Sequence, residues 1–352
     1  MKTKRRYWNE YQKTIADDHY FYERSCIRQT FFPGSENAFL RIMREELGKD
    51  IFDEMNQHTC TGIGYHSDLV PFETTMTVVA RLFALMTEAG YENYVPSCVT
   101  SFGIFTEVVE MWEHDPALLE KARNFLKEAT GREFNLPKNI AHPSDIIYKF
   151  REELKAKMKY QLVNRFTGKP LRVVEHIGCH YAKIFPDKSI GNAEFPYVLA
   201  GMIESWGGEV IDYPERRHCC GFGFRQYLVQ DNRSFPIANS KKKLESMQPY
   251  EPDLIVANCP GCAMFLDKWQ YTIAEMENKT YDMHGYGIPV ITHEELVGML
   301  LGYDPWQLGF QLHQIQMERL MDKIGIAYDP VQKYLGVSGK VLGVPEKPKN
   351  LK

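Results

Sequence analysis

Short apolar runs alternate with longer amphipathic stretches along this chain. "LRVVEHIGC" (171–179) carries the β-branched run of a buried strand, and "FPYVLAGMIESWGG" (195–208) has helical spacing closed by glycine. "EVIDY" predicts a short strand, "ANSKKKLESMQ" a polar-faced helix, "DLIVANC" another buried strand, and "PGCAMFLDKWQYTIAEM" a helix opened by Pro260. The first half repeats this order less cleanly in "HYFYERSC", "ENAFLRIMREELG", "FETTMTVVARLFALMTEAG", "NYVPSC" and a long helix from about Phe102. Such alternation predicts parallel sheets with helices on their faces, and sites at the carboxyl ends of the strands.

The pattern also repeats at long range. Cys179, Cys219 and Cys259 are 40 residues apart; Cys26, Cys60 and Cys98 follow a similar rhythm at 34 and 38. Gly62 and Gly221 each stand two residues after a middle cysteine, and His142 and His293 each stand between a strand end and a helix start. The offsets between the halves, 153 for Cys26 and Cys179 and 151 for the histidines, agree closely enough to indicate duplication. The predicted fold is α/β: two duplicated Rossmann-like units related by a pseudo-two-fold axis. Their bounds are 1–165 and 166–303, with a turn near Gly168–Pro170 between them, and 304–352 forms a helical extension with a tail expected to be mobile.

Composition narrows the class. The 352 residues are 44% hydrophobic and 25% charged with a net charge of −4, so no basic footprint of a nucleic-acid partner is present. No apolar run approaches the ~20 residues of a membrane span, and the basic N-terminus lacks the apolar segment of a signal peptide. The expectation is a cytoplasmic protein with eight reduced cysteines, which favours metal binding or catalysis over disulfides.

The second unit supplies five of these: Cys179, the adjacent pair Cys219–Cys220, and Cys259 and Cys262 in "CPGC". A zinc site or a simple cubane cluster takes four ligands, so five soft thiolates exceed either need. Gly221, Gly223 and Gly261 let the backbone approach a bulky inorganic core. The first unit is incomplete. Thr61 stands where the second cysteine of the pair would be and Ser101 where the CxxC partner would be, leaving Cys26, Cys60 and Cys98. His66 is a candidate fourth ligand for a Cys3His zinc ion, with His58 a less convenient one; relict buried thiols without a metal and, after them, an iron–sulfur cluster are the alternatives.

The arrangement of Cys179, the CCG pair and the closing CxxC is the signature of the CCG cysteine-rich domain. Tandem units of this kind resemble the heterodisulfide reductase B subunits, including the B-type subunit of sulfur-oxidising heterodisulfide-reductase-like complexes. The resemblance runs from about Cys26 to about Gly302. It implies a noncubane [4Fe–4S] cluster on Cys179, Cys219, Cys220, Cys259 and Cys262, and reductive cleavage or formation of a disulfide at an iron. It also implies partner subunits, because the chain has no G-x-G-x-x-G nucleotide fingerprint and no ferredoxin-type cysteine run. These would be an iron–sulfur (C-type) and a flavin (A-type) subunit, with a thiol or disulfide substrate, small or protein-bound. The alternative is an electron-transfer or membrane-docking CCG subunit of a succinate, glycerol-3-phosphate or lactate dehydrogenase, with Trp306–Ile324 as the amphipathic candidate surface.

Among the other side chains, His180 is the preferred proton donor, ahead of His176 and His218. Lys183 and Arg225 are candidates to orient an anionic substrate. Tyr65, Tyr181, Phe222 and Phe224 are candidates to wall the cysteines from water. His142 and His293 read as structural caps, and "SKKKLES" as a solvated helix face.

Overall fold

The computed structural model describes residues 14–54, 57, 69–192, 194–223, 233–279, 281 and 287–329. In the first half, β1 (Tyr20–Glu23) leads into the helices α1 (Cys26–Phe31) and α2 (Pro33–Arg41), and β2 (Ile51–Asp53) follows. Then come α3 (Phe72–Glu88), β3 (Asn93–Pro96), α4 (Val99–His114), α5 (Pro116–Thr130), β4 (Asn139–Ile140), α6 (Pro143–Lys149) and α7 (Arg151–Lys157). The second half runs β5 (Arg172–His176), α8 (Cys179–Ala182), α9 (Val198–Ser205), β6 (Glu209–Val210) and α10 (Ser234–Met247). It closes with β7 (Leu254–Ala257), α11 (Pro260–Glu277), β8 (Val290–Thr292), α12 (His293–Leu301) and α13 (Glu318–Ile324).

These strands form two four-stranded sheets, β2-β1-β3-β4 and β6-β5-β7-β8, and every pairing is parallel. The two orders are the same, so the duplication read from cysteine spacing is a duplication of fold. The centre of each sheet is dry. Tyr20, Phe21 and Tyr22 in β1, and Leu254, Ile255, Val256 and Ala257 in β7, are fully buried. Each large aliphatic side chain removed from water there contributes roughly 1.5–3 kcal/mol.

The units dock through equivalent elements. α8 of the second unit packs on α4 of the first, and α1 of the first packs on α11 of the second. Likewise α12 packs on α2, and α9 on α6. One continuous core therefore contains residues of both sheets, while a second, around Phe83 and Trp112, lies within the first unit. The buried rings of His142 and His293, equivalent positions in the two units, meet with centroids 5.6 Å apart. His142 caps α6 by accepting the Ser144 amide at 3.2 Å, whereas at α12 the cap is Thr292 and His293 is the first helical residue.

The charged stretch that precedes the Gly168–Pro170 turn forms two helices, α6 and α7, which meet at Phe150. One sequence expectation changes. The stretch Trp306–Ile324, read as one amphipathic segment, is helical only in a short turn at Phe310–Leu312 and in α13. Gly309, at φ +80°, starts that turn. The buried Asp267 carboxylate of α11 then accepts the amides of Gln314 and Ile315 at 2.7 and 2.9 Å, competing with helical hydrogen bonding. The expected tail beyond residue 329 lies outside the described residues.

A candidate metal–sulfur centre

The second unit delivers its cysteines from three strand ends. β5 ends at His176, and Cys179 opens α8. β7 ends at Ala257, Cys259 is the N-cap of α11, and Cys262 lies one turn on, where i and i+3 share a face. The two strand ends are tied together by Asn258, whose side chain accepts the Gly178 amide at 2.8 Å. No side chain fits at Gly178: a Cβ there would stand 2.8 Å from Cys259 Cβ and 2.9 Å from Val99 Cγ1.

The adjacent cysteines lie beyond β6 in a loop that turns at Gly221, whose φ of +97° is in the region glycine favours. The Gly221 amide donates to Cys219 Sγ at 3.3 Å and the Phe222 amide to Cys220 Sγ at 3.5 Å. Lys243 of α10 holds the loop from beneath. Its ammonium donates to the carbonyls of Glu215, Arg216 and His218 at 2.9, 2.9 and 3.2 Å. Ser240 donates to the Cys220 carbonyl, and the buried Glu175 of β5 pairs with Arg216 and, at 3.1 Å, with Arg217. The reading of "SKKKLES" as a solvated face is thus corrected at one position. Lys241 and Lys242 make surface ion pairs with Glu277 and Glu215, but Lys243 is fully buried.

The sulfurs converge. Cys220 and Cys262 are 3.1 Å apart, and Cys179 neighbours Cys219. His176, Cys220 and Cys262 each offer a ligand atom within 4.8 Å of the others. A sixth thiol joins them from the first unit, because Cys98, the N-cap of α4, lies against Cys259. A small cleft is lined by the half-buried Cys179 and Cys219 and the buried Cys220 and Cys262, with Lys183, Arg217 and His218 beside them. Phe222 covers Gly261 and packs edge-on against Phe265 at 5.3 Å, on the buried side.

Ionisation within the group is uneven. Hydrogen bonds from Cys179, Cys220 and the Gly221 amide favour a Cys219 thiolate, and contacts from Cys262 and Cys98 do the same for Cys259. Cys98, Cys179, Cys220 and Cys262 are pushed up by those neighbours and by burial. Burial drives His176 well below the ordinary histidine range and brings Lys243 down to about 7.

The other candidates are placed as follows. His180 Nδ1 is 3.6 Å from Cys179 Sγ, and its side chain packs over Gly103 of α4. Tyr181 is buried and donates to Asp145 of the first unit, and Lys183 donates to the Arg217 carbonyl at 3.1 Å. Cys26 is exposed at the start of α1. Cys60, His66, His58, Tyr65, Phe224 and Arg225 lie outside the described residues. The expected zinc set therefore has one member, Cys98, turned to the second unit's cysteines. Sequence reading missed Lys243 as a support of the cysteine loop, although its spacing with Leu244 and Met247 on one buried helix face was a signal.

Residues 173–267 match the family model of the CCG cysteine-rich domain. Over 317 residues the chain is 29% identical to the B subunit of the ferredoxin:CoB-CoM heterodisulfide reductase of Methanosarcina acetivorans, covering 89% of this chain and 98% of that one. It is 28% identical over 174 residues to the 8-methylmenaquinol:fumarate reductase membrane anchor subunit of Wolinella succinogenes, covering 48% and 54% of the two chains. In fold it is similar to a hypothetical protein from Helicobacter pylori, with a TM-score of 0.59 and 11% identity. That match covers 87% of this chain but only 57% of the other.

Proposed function

We propose that this chain, a relative of the heterodisulfide reductase B subunits, carries out thiol/disulfide redox chemistry at a noncubane [4Fe–4S] cluster held by Cys179, Cys219, Cys220, Cys259 and Cys262. The observation that carries this reading is the convergence of five sulfurs from three strand ends beside a cleft open to solvent. The donor set fits an iron–sulfur group. It is rich in thiolate-forming sulfur, backbone amides point at two of the sulfurs, and a buried lysine offsets negative charge nearby. When bound, such a cluster would supply one-electron steps at sulfur.

The rest of the work falls to the side chains. Reductive cleavage of a disulfide takes two electrons and two protons and releases two thiols. The electrons come from partner subunits, an iron–sulfur C-type and a flavin A-type chain, since this sequence has no nucleotide fingerprint of its own. His218, at the cleft, and His180, beside Cys179, are the groups placed to hand over a proton. Lys183 and Arg217 draw an anionic substrate toward the half-buried Cys179 and Cys219, and Phe222 and Phe265 keep the inner side dry. Run in reverse, the same centre oxidises thiols, as sulfur oxidation in the cytoplasm would require.

An electron-transfer or docking role, suggested by the Wolinella relative, finds less support. Among the described residues no helix is long and apolar enough to cross a membrane, and the Trp306–Ile324 candidate is broken. A zinc ion on Cys26, Cys60, Cys98 and His66 remains the proposal for the first unit only if Cys98 leaves Cys259.

The test is the metal and sulfide content of protein purified without oxygen. About four irons and matching sulfide per chain, lost in C219S and C262S, is the expected result. Zinc without iron, even after anaerobic reconstitution, would overturn it.

A further inference from the structure

We propose that His176, outside the five cysteines, is a positioning residue of the centre: its ring N–H donates to the ligand sulfurs of Cys220 and Cys262 and raises the potential of the group they hold. The inference rests on the iron–sulfur reading above.

His176 is the last residue of β5, so the sheet fixes it rather than the cysteine loop. It pairs with Ala257 of β7, and its carbonyl accepts the Asn258 amide at 3.4 Å. From there one ring nitrogen lies no more than 4.8 Å from the sulfurs of Cys220 and Cys262, which are themselves 3.1 Å apart. The end of β5, the loop after β6 and the first turn of α11 thus each bring one member of a buried triad.

The ring has a proton to give. An imidazole carries at least one N–H whether neutral or charged. His176 is only 2% exposed, and its Nδ1 is buried without a hydrogen-bond partner among the described residues, which is costly unless a partner is supplied. The sulfurs need a donor in turn. As thiols, Cys220 donates to Cys262. As metal ligands both are deprotonated, that hydrogen bond is lost, and two acceptors stand beside the ring. A hydrogen bond to a ligand sulfur favours the more negative, reduced state, so it raises the midpoint potential.

The duplication supplies a contrast. The equivalent residue of the first unit, three positions before Cys26 at the end of β1, is Glu23, likewise 2% exposed. A carboxylate offers no N–H. The same unit has Thr61 and Ser101 where Cys220 and Cys262 have their counterparts. Donor and acceptors are therefore present together in one repeat and replaced together in the other.

The experiment compares anaerobically purified full-length wild type, H176L and H176Q by iron content and by redox titration followed with electron paramagnetic resonance. H176L fills similar space without a donor. It should lower the reduced-to-oxidised ratio at fixed potential by about three- to tenfold, and tenfold is about 59 mV for one electron. H176Q keeps an N–H at the end of its side chain and should recover most of that shift. If H176L does not fold, H176M, also without a donor, is read in the same way. Pulsed paramagnetic resonance of the wild type should show a weakly coupled histidine nitrogen that H176Q removes.

A potential unchanged in the donor-less variant at wild-type iron content, or lowered equally in H176Q, overturns the inference and leaves the iron–sulfur reading standing. Loss of iron from folded H176L, or the strong coupling of a bound nitrogen, also overturns it, since His176 would then be a ligand. A wild type without iron overturns both.

Discussion

Arg28 of α1 and Glu294 of α12 form an ion pair of 2.7 Å between the two units, with both side chains fully buried. The arginine is otherwise well supplied: Nε donates to the Ser97 carbonyl at 2.6 Å and Nη1 to the Ser35 hydroxyl. Ser97 immediately precedes Cys98, so the pair fastens the segment carrying that thiol to the helix start beside His293.

Replacing Arg28 by Met should be severe. It leaves the Glu294 carboxylate buried without its cation, a loss of about 3–5 kcal/mol. Arg28→Lys should rescue little, because one ammonium cannot reproduce the planar fork that reaches Ser97, Ser35 and Glu294 together. The double variant R28M/E294M removes both charges and should recover much of the loss. Urea unfolding of the cluster-free chains checks this; equal stability of R28M and wild type would refute it.

Lys243 supports a second prediction. Lys243→Met removes the donor shared by three carbonyls of the cysteine loop, of which that of Arg216 is buried and those of Glu215 and His218 are half-buried. Each loses a hydrogen bond to a charged group, worth roughly 1.5–3 kcal/mol when made. The loop holding Cys219 and Cys220 should loosen, so iron retention should fall several-fold, and Lys243→Gln, with two donors and no charge, should restore it only in part. Iron per chain after gel filtration is the measurement, and full retention in K243M would show that the loop does not need this anchor.

Much of this architecture was legible in the sequence. β5 and β7 were visible because Val173, Val174, Ile255 and Val256 are β-branched and fully buried. The repeat, and with it the shared strand order, followed from cysteine and histidine spacing. What escaped depends on docking. "EVIDY" forms only the two paired residues of β6 because it lies at a sheet edge with one neighbour. The break after Gly309 is caused by Asp267, more than forty residues away in sequence. The meeting of Cys98 with Cys259 needs both units in place, so no local pattern announces it. Lys243 is an intermediate case, since helical spacing placed it on an apolar face but its charge argued for water.

Gly178 should prove intolerant for a reason unrelated to backbone freedom. Its φ of −60° and ψ of 136° suit alanine well. The obstacle is space, because the added methyl would meet Cys259 Cβ and Val99 Cγ1 at under 3 Å. G178A should therefore cost about 1–3 kcal/mol through overpacking and displace Cys259, lowering iron content. Shortening Val99 in G178A/V99A should return part of both. If thermal unfolding and iron content of G178A match wild type, the close approach is not a constraint.

The buried histidines predict how the cluster-free chain responds to acid. His142 and His293 are fully buried with rings 5.6 Å apart, and burial holds both well below the ordinary value of 6.5. The charge of His293 adds to the effect on His142, and Arg28 lowers both. His176 is depressed in the same direction, by burial first. In the unfolded chain these rings take up protons below about 6.5; in the folded chain they resist until much lower pH. The unfolded state therefore binds more protons in that window, and stability, complete above 6.5, declines as pH falls through it. Each ring contributes a slope of about 1.4 kcal/mol per pH unit. His313 acts oppositely: burial is the largest influence and lowers its pKa, but Glu295 at 3.2 Å, Asp267 and the Val290 backbone together raise it above the ordinary value. Its stabilisation is complete below 6.5 and is lost only as pH rises, so it does not mask the acid slope. His142→Asn keeps a side chain suited to the cap of α6 while removing one titrating ring. Urea unfolding between pH 7 and 5 should give H142N a slope shallower than wild type by about 1.4 kcal/mol per pH unit. Parallel profiles would mean that His142 does not stay neutral in the folded interface.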